Sequence, residues 1–161
     1  MSMQSVDPLA AMAQHVGVGE VPWVPNHLFP GAELRLLQAD IDVGVYVMAG
    51  RLPAGLEVGT HRHTGAVHMF TLAGAWKYHE HEYVNRAGSY LYEPPGSVHT
   101  LYVLPGAERT ETLSIVYGET EYLDADGAVV NVSNAASNLA NYYASCEQAD
   151  LPRPSGILRA S

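Results

Sequence analysis

From Glu33 to about Asp124, short apolar runs alternate with turn-forming residues. Val43–Met48, Val67–Leu72, Trp76–His79, Ser89–Glu93, Thr100–Leu104 and Thr112–Tyr117 each read as a strand. Pro53 with Gly55, Gly74, Gly88, Pro94-Pro95-Gly96 and Pro105-Gly106 punctuate them. Several short strands separated by such residues predict a sandwich or barrel. Asp126-Gly127, between Tyr122-Leu123 and Val129-Val130, predicts a two-residue hairpin, because Asp-Gly supplies the positive φ that such a turn demands.

The two ends break this pattern. An Ala/Met-rich stretch, Leu9–Ala13, suggests a short helix before the irregular Gly17 and Gly19. Pro22 and Pro25 favour extended backbone, so Val21–His27 predicts an extended arm. Ser133 is expected to cap a helix whose apolar face carries Ala135, Leu139, Tyr142, Tyr143 and Cys146 at three-to-four spacing. Pro152 and Pro154 end it. The expected fold class is all-β with one terminal helix. No fixed-period repeat or linker divides the chain, so residues 1–161 are expected to form one domain with a barrel core over about 33–132.

Composition changes the picture mainly by exclusion. A chain of 161 residues is one domain long, and 47% apolar against 16% charged residues is globular rather than disordered. A net charge of −9 argues against nucleic acid and anionic membranes as partners. The single cysteine, Cys146, excludes an internal disulfide and a Cys-based zinc cluster. No basic-then-apolar leader and no long apolar run is present, so a soluble, cytoplasmic protein is expected. Histidine is the exception: there are 8, as many as Lys and Arg together. Histidine is the commonest metal ligand, so the excess asks for a site.

The informative stretch is Gly55-Leu-Glu-Val-Gly-Thr-His61-Arg-His63-Thr-Gly-Ala-Val-His68. Residues two apart on a strand share a face, so His61 and His63 present two imidazoles side by side, suited to one ion. Continued parity does not carry safely to His68, because Gly65 intervenes. A third ligand must come from elsewhere, and the candidate is His99 in Gly88-Ser-Tyr-Leu-Tyr-Glu-Pro94-Pro-Gly96-Ser-Val-His99.

These two blocks resemble the paired motifs of the cupin superfamily. Gly55, His61, His63 and Gly74 match the first motif, with His68 where many cupins carry a glutamate ligand. Gly88, Pro94, Gly96 and His99 match the second, with Val103 in place of its asparagine. The resemblance implies a double-stranded β-helix, a jelly-roll barrel with a metal in its mouth, here with an extended N-terminal arm and a C-terminal helix. It implies His61, His63 and His99 as metal ligands. More narrowly, the stretches His61–Trp76 and Glu93–Leu101 are similar to the 2,4'-dihydroxyacetophenone dioxygenase family, whose centre is a three-histidine iron site.

That resemblance implies an iron(II) dioxygenase cleaving a carbon–carbon bond of a hydroxyketone such as a hydroxyacetophenone, with O2 as co-substrate. Zinc has no redox role, so iron(II) is the expected metal, with zinc, nickel or manganese able to occupy the site. Three neutral imidazoles leave the ion's charge uncompensated and favour an anionic, chelating ligand. Glu93, six residues before His99, is a candidate proton acceptor, and His68 is a candidate fourth ligand, hydrogen-bonding partner of the ligands, or base. Trp76 and Tyr78 are candidates for an aromatic wall around an aryl substrate, with plain barrel core as the alternative, the favoured one for Trp76. Two other readings stay open: a β-diketone-cleaving dioxygenase or isomerase on the same barrel, and a non-enzymatic metal- or ligand-sensing cupin of the anti-sigma type. A homodimer or homotetramer is expected, with Trp23 and Phe29 of the arm packing on a neighbour.

Overall fold

A computed structural model describes residues 12–106 and 109–160. The helix expected over Leu9–Ala13 lies largely outside them, and Met12 and Ala13 are not helical. In chain order the elements are β1 (Val24–Pro25), β2 (Glu33–Asp40), β3 (Val45–Leu52), β4 (Glu57–His63), β5 (Val67–Ala73) and β6 (Ala75–Tyr78). There follow β7 (Asn85–Arg86), β8 (Tyr90–Glu93), β9 (Val98–Val103), β10 (Thr110–Tyr117), β11 (Thr120–Leu123), β12 (Val129–Ser133) and the helix α1 (Ala135–Gln148). None of the described helices is long and apolar enough to cross a membrane.

The strands form two antiparallel six-stranded sheets. The first runs β1-β2-β3-β10-β5-β8 and the second β12-β11-β4-β9-β6-β7. Alternation along each strand sends one set of side chains between the sheets. On β10, Thr110, Thr112, Ser114 and Val116 are buried while the residues between them are not. The jelly-roll architecture expected for the chain is therefore present, and its core includes Leu36, Val103 and Trp76, all essentially inaccessible.

The arm belongs to its own barrel. Val21 and Val24 are buried, and Arg35 donates from Nε to the Val21 carbonyl at 2.7 Å. Trp23 lies under the Arg51 guanidinium, 3.9 Å from Cζ to the ring centroid. Phe29 reaches the barrel cavity and tilts against Tyr122 with centroids 6.1 Å apart. Helix α1 packs on β1 and β2, and Tyr142 donates to the Pro22 carbonyl.

Two local expectations are corrected. The helix cap is Asn134, not Ser133. The Asn134 side chain accepts from the Ser137 amide at 2.9 Å, and Ser137 Oγ accepts from the Asn134 amide at 2.9 Å. Asparagine with serine three residues on closes a reciprocal capping box, leaving Ser133 to finish β12. The β11–β12 connection is a loop over 124–128 rather than a two-residue turn. Asp124 Oδ1 accepts from the amides of Asp126 and Ala128 at 3.0 and 2.8 Å, which holds a wider turn with Gly127 at φ 81°.

Candidate metal centre

The site begins with a fault in β4. Val58 pairs with Leu101 and His61 with His99, so two residues, Gly59 and Thr60, oppose the single Thr100. This is a β-bulge, and the extra residue resets the alternation. Val58 and His61, three apart, both point inward, and His63 follows His61 on the same face. His99 lies on β9 directly opposite His61. The ligand nitrogens of the three buried histidines all lie within 4.8 Å of one another.

Second contacts orient each ring. His61 Nδ1 lies 2.9 Å from the Gly59 carbonyl, so Nδ1 carries the proton and Nε2 keeps its lone pair for the cluster. Burial pulls the His61 pKa down to about 4, which keeps the ring neutral. His63 Nδ1 lies 3.2 Å from Thr120 Oγ1, which itself meets the Tyr46 hydroxyl at 3.2 Å. Thr120 is paired with His63 across β11–β4, so register sets this contact. Tyr78 stacks on His99, with centroids 3.8 Å apart and planes 16° from parallel.

Glu93 arrives from the opposite sheet at the end of β8. Its Oε2 is 3.0 Å from His63 Nε2 and 3.3 Å from His99 Nε2. Its Oε1 accepts from the Tyr78 hydroxyl. Burial pushes the Glu93 carboxyl up, but the facing imidazoles of His63 and His99 more than offset this and hold it well below the usual carboxylate range. Burial and the neighbouring Glu93 charge push the Tyr78 phenol well above its ordinary value, so it stays a donor.

The residues fit a cation. Glu93 Oε2 and His99 Nε2 are buried and lack any hydrogen-bond partner despite their proximity. Each unpaired buried polar atom costs about 1–3 kcal/mol. One ion held by the three imidazoles would take up the lone pair of His99 Nε2 and stand beside the charge of the Glu93 carboxylate. The donor set of imidazoles with at most one carboxylate suits iron, zinc, nickel or manganese better than calcium or magnesium.

The other expected site residues divide. Tyr78 lines the cavity beside the histidines. Trp76 does not; it is fully buried in the core, donates from Nε1 to Thr71 Oγ1 at 2.9 Å, and meets Tyr78 edge to face at 5.1 Å. His68 is corrected too. The chain leaves the second sheet after His63 and enters the first at Val67, so parity is lost at the crossing. On β5, Val67 and Met69 point inward while His68 faces outward. There its Nδ1 lies 2.7 Å from the Tyr90 hydroxyl, among exposed Phe70, Leu72, Tyr90 and Tyr92. Sequence reasoning missed Thr120, Tyr46 and the Gly59 carbonyl. The spacing Thr120-x-Tyr122, opposite His63 and His61, was the one available signal.

A cavity of about 140 Å³ opens beside the cluster between the two sheets. Val58, Val67, Met69, Leu101 and Val116 give it apolar walls.

Fold and cluster together define a cupin. The family model for the ChrR cupin-like domain matches residues 11–121, and the chain belongs to that family. Among solved structures, the chain is similar to an RmlC-like cupin protein from Ralstonia eutropha JMP134. The two are 27% identical with a TM-score of 0.85, over 94% of this chain and 98% of that one. A second protein of the same organism, of unknown function with a cupin-like fold, is 29% identical with a TM-score of 0.79, over 87% and 88%. An acetylacetone dioxygenase from Acinetobacter johnsonii shares the fold at 18% identity and a TM-score of 0.74, over 90% and 99%. Comparison with curated proteins finds no match.

Proposed function

We propose that this chain is an iron(II)-dependent dioxygenase that cleaves the carbon–carbon bond of a hydroxyketone. The observation that carries the reading is the placement of three imidazoles and one unpartnered carboxylate oxygen at one end of an apolar cavity. When bound, iron(II) supplies Lewis acidity and the one-electron chemistry that O2 requires. His61, His63 and His99 hold it as neutral donors, which leaves positive charge for an anionic, two-oxygen chelate. Glu93, in its ionised form, accepts the proton that a chelating hydroxyketone gives up. Tyr78 keeps Glu93 in place through Oε1. Val67, Met69 and Val116 exclude water from the bound ketone. The overall change is R–CO–CH2OH plus O2 to R–COOH plus formic acid.

The test is oxygen uptake by anaerobically iron-loaded protein with 2-hydroxyacetophenone, 2,4'-dihydroxyacetophenone and acetylacetone. The expected result is one O2 consumed per aryl carboxylate and formate formed. Uptake with acetylacetone alone would move the assignment to β-diketone cleavage. The ChrR family match favours one further reading, a metal-dependent sensor domain. Stoichiometric metal with no uptake on any of these compounds would support that reading and overturn the enzyme.

A further inference from the structure

Strand β10 carries its alternation the wrong way round. Thr110, Thr112 and Ser114 point into the barrel and are buried, whereas Leu113, Ile115 and Tyr117 point out. An antiparallel sheet that meets water on one face normally sends its polar residues to that face.

Strand register extends this apolar outer face across the first sheet. Tyr92, His68, Ile115 and Val47 stand in one row over β8, β5, β10 and β3. Tyr90, Phe70, Leu113 and Ala49 form the next. Neither row holds a charged residue, although the chain has 17 acidic and 8 basic ones. Charge begins only in the following row, where Arg51 and Glu111 pair at 2.9 Å. Towards β2 the chain covers the face itself, since Trp23 lies over the guanidinium groups of Arg51 and Arg35. Towards β8 it is bare: Phe70 is 38% exposed, Leu72 55%, Tyr90 54%, Tyr92 51% and Tyr117 43%. The His68 ring lies 5.5 Å from that of Tyr92 and 6.2 Å from that of Tyr117, and Phe70 lies 5.2 Å from Tyr90, so the rings form one continuous patch. At about 200 Å² per aromatic side chain, the open parts of the five exposed residues amount to roughly 450 Å², a size at which an apolar surface patch is often functional.

We propose that this face docks against the same face of a second copy of the chain, sheet against sheet about a two-fold axis. Size and charge select that occupant. With the half-buried Val47, Leu113 and Ile115 at their margins, two such patches would together bury about 1,200 Å², the lower bound of a specific protein interface. Each chain carries a net charge of −9, so two copies repel unless they meet through an uncharged surface, and the two rows provide one. An anionic membrane is repelled by the rest of the chain, and a basic partner finds no carboxylate in these rows to pair with. A second copy presents the same aromatic patch, so an isologous contact matches apolar to apolar and leaves no charge unpaired. In the middle of the patch, His68 Nδ1 and the Tyr90 hydroxyl already satisfy each other at 2.7 Å.

The test is sedimentation velocity of the full chain over a concentration series. Wild type is expected to sediment as a dimer. Phe70→Glu and Leu72→Lys, made separately, should each weaken the dimer at least about tenfold, because each sets two like charges into an apolar contact. Both should keep the far-ultraviolet circular dichroism and the metal content of wild type, since neither side chain faces the histidines. Val130→Lys, on exposed β12 of the other sheet, should leave the dimer intact. A wild-type tetramer that the two face variants split would support the contact equally. A monomeric wild type would overturn the proposal. So would a dimer that survives both face variants, whether or not Val130→Lys breaks it. Unfolding of both face variants would overturn it as well, since the single chain would then need this face for its own stability.

Discussion

The phenol ring of Tyr78 lies flat against the imidazole of His99, 3.8 Å away, while its hydroxyl holds Oε1 of Glu93. One side chain thus fixes two donors that come from opposite sheets. Tyr78→Phe keeps the ring and removes the hydroxyl. We expect metal content to persist and oxygen uptake to fall about 10–100-fold, the usual consequence of losing a group that orients a metal-site residue. Metal analysis beside oxygen uptake on the same preparation checks this.

His99 holds the only candidate nitrogen donor on β9 and lies opposite His61. His99→Ala should remove bound metal and uptake together. Elemental analysis of the purified variant decides it, and retained stoichiometric metal would sink the assignment.

His68 predicts the contrary. It faces outward against Tyr90, so His68→Gln should leave metal content and ligand affinity within about twofold of wild type. A large loss of metal in that variant would return His68 to the site.

Trp76 is a core residue with one satisfied donor. Trp76→Ala should cost about 3–5 kcal/mol of stability, read from urea unfolding. A near-neutral result would contradict its burial.

Gly65 marks the crossing between the sheets. A Cβ there would stand 2.3 Å from the Tyr117 carbonyl oxygen, and backbone cannot easily retreat. Gly65→Ala should cost at least about 1–3 kcal/mol in the same measurement.

What the sequence made legible follows from range. His61 and His63 are two apart on one strand, so local parity placed them together. His99 was reached through the resemblance of its flanking Pro94 and Gly96 to a motif, and β9 pairs it with His61. The strand pattern from Glu33 onward gave the fold class for the same local reason. Glu93 was only half legible: its position before Pro94 suggested the mouth, but its contact with His63 depends on how two sheets face each other. The misplacement of His68 has one cause, the change of sheet between His63 and Val67, which resets which residues face in. Ser133 lost the cap to its neighbour because the capping box needs the partner at Ser137, and that pairing starts from Asn134.

The bulge at Gly59 and Thr60 gives β4 one residue more than β9 needs between Val58 and His61. Removing either residue would leave Val58 and His61 two apart, so both would still face inward, opposite Leu101 and His99. What the bulge adds is local: a bend in the strand and the Gly59 carbonyl that holds His61 Nδ1. The strict count lies between His61 and His63, where the loss of Arg62 would turn one of the two imidazoles to the other face. A single-codon deletion at Gly59 or Thr60 should therefore keep the centre, whereas one at Arg62 should abolish it without changing any functional residue.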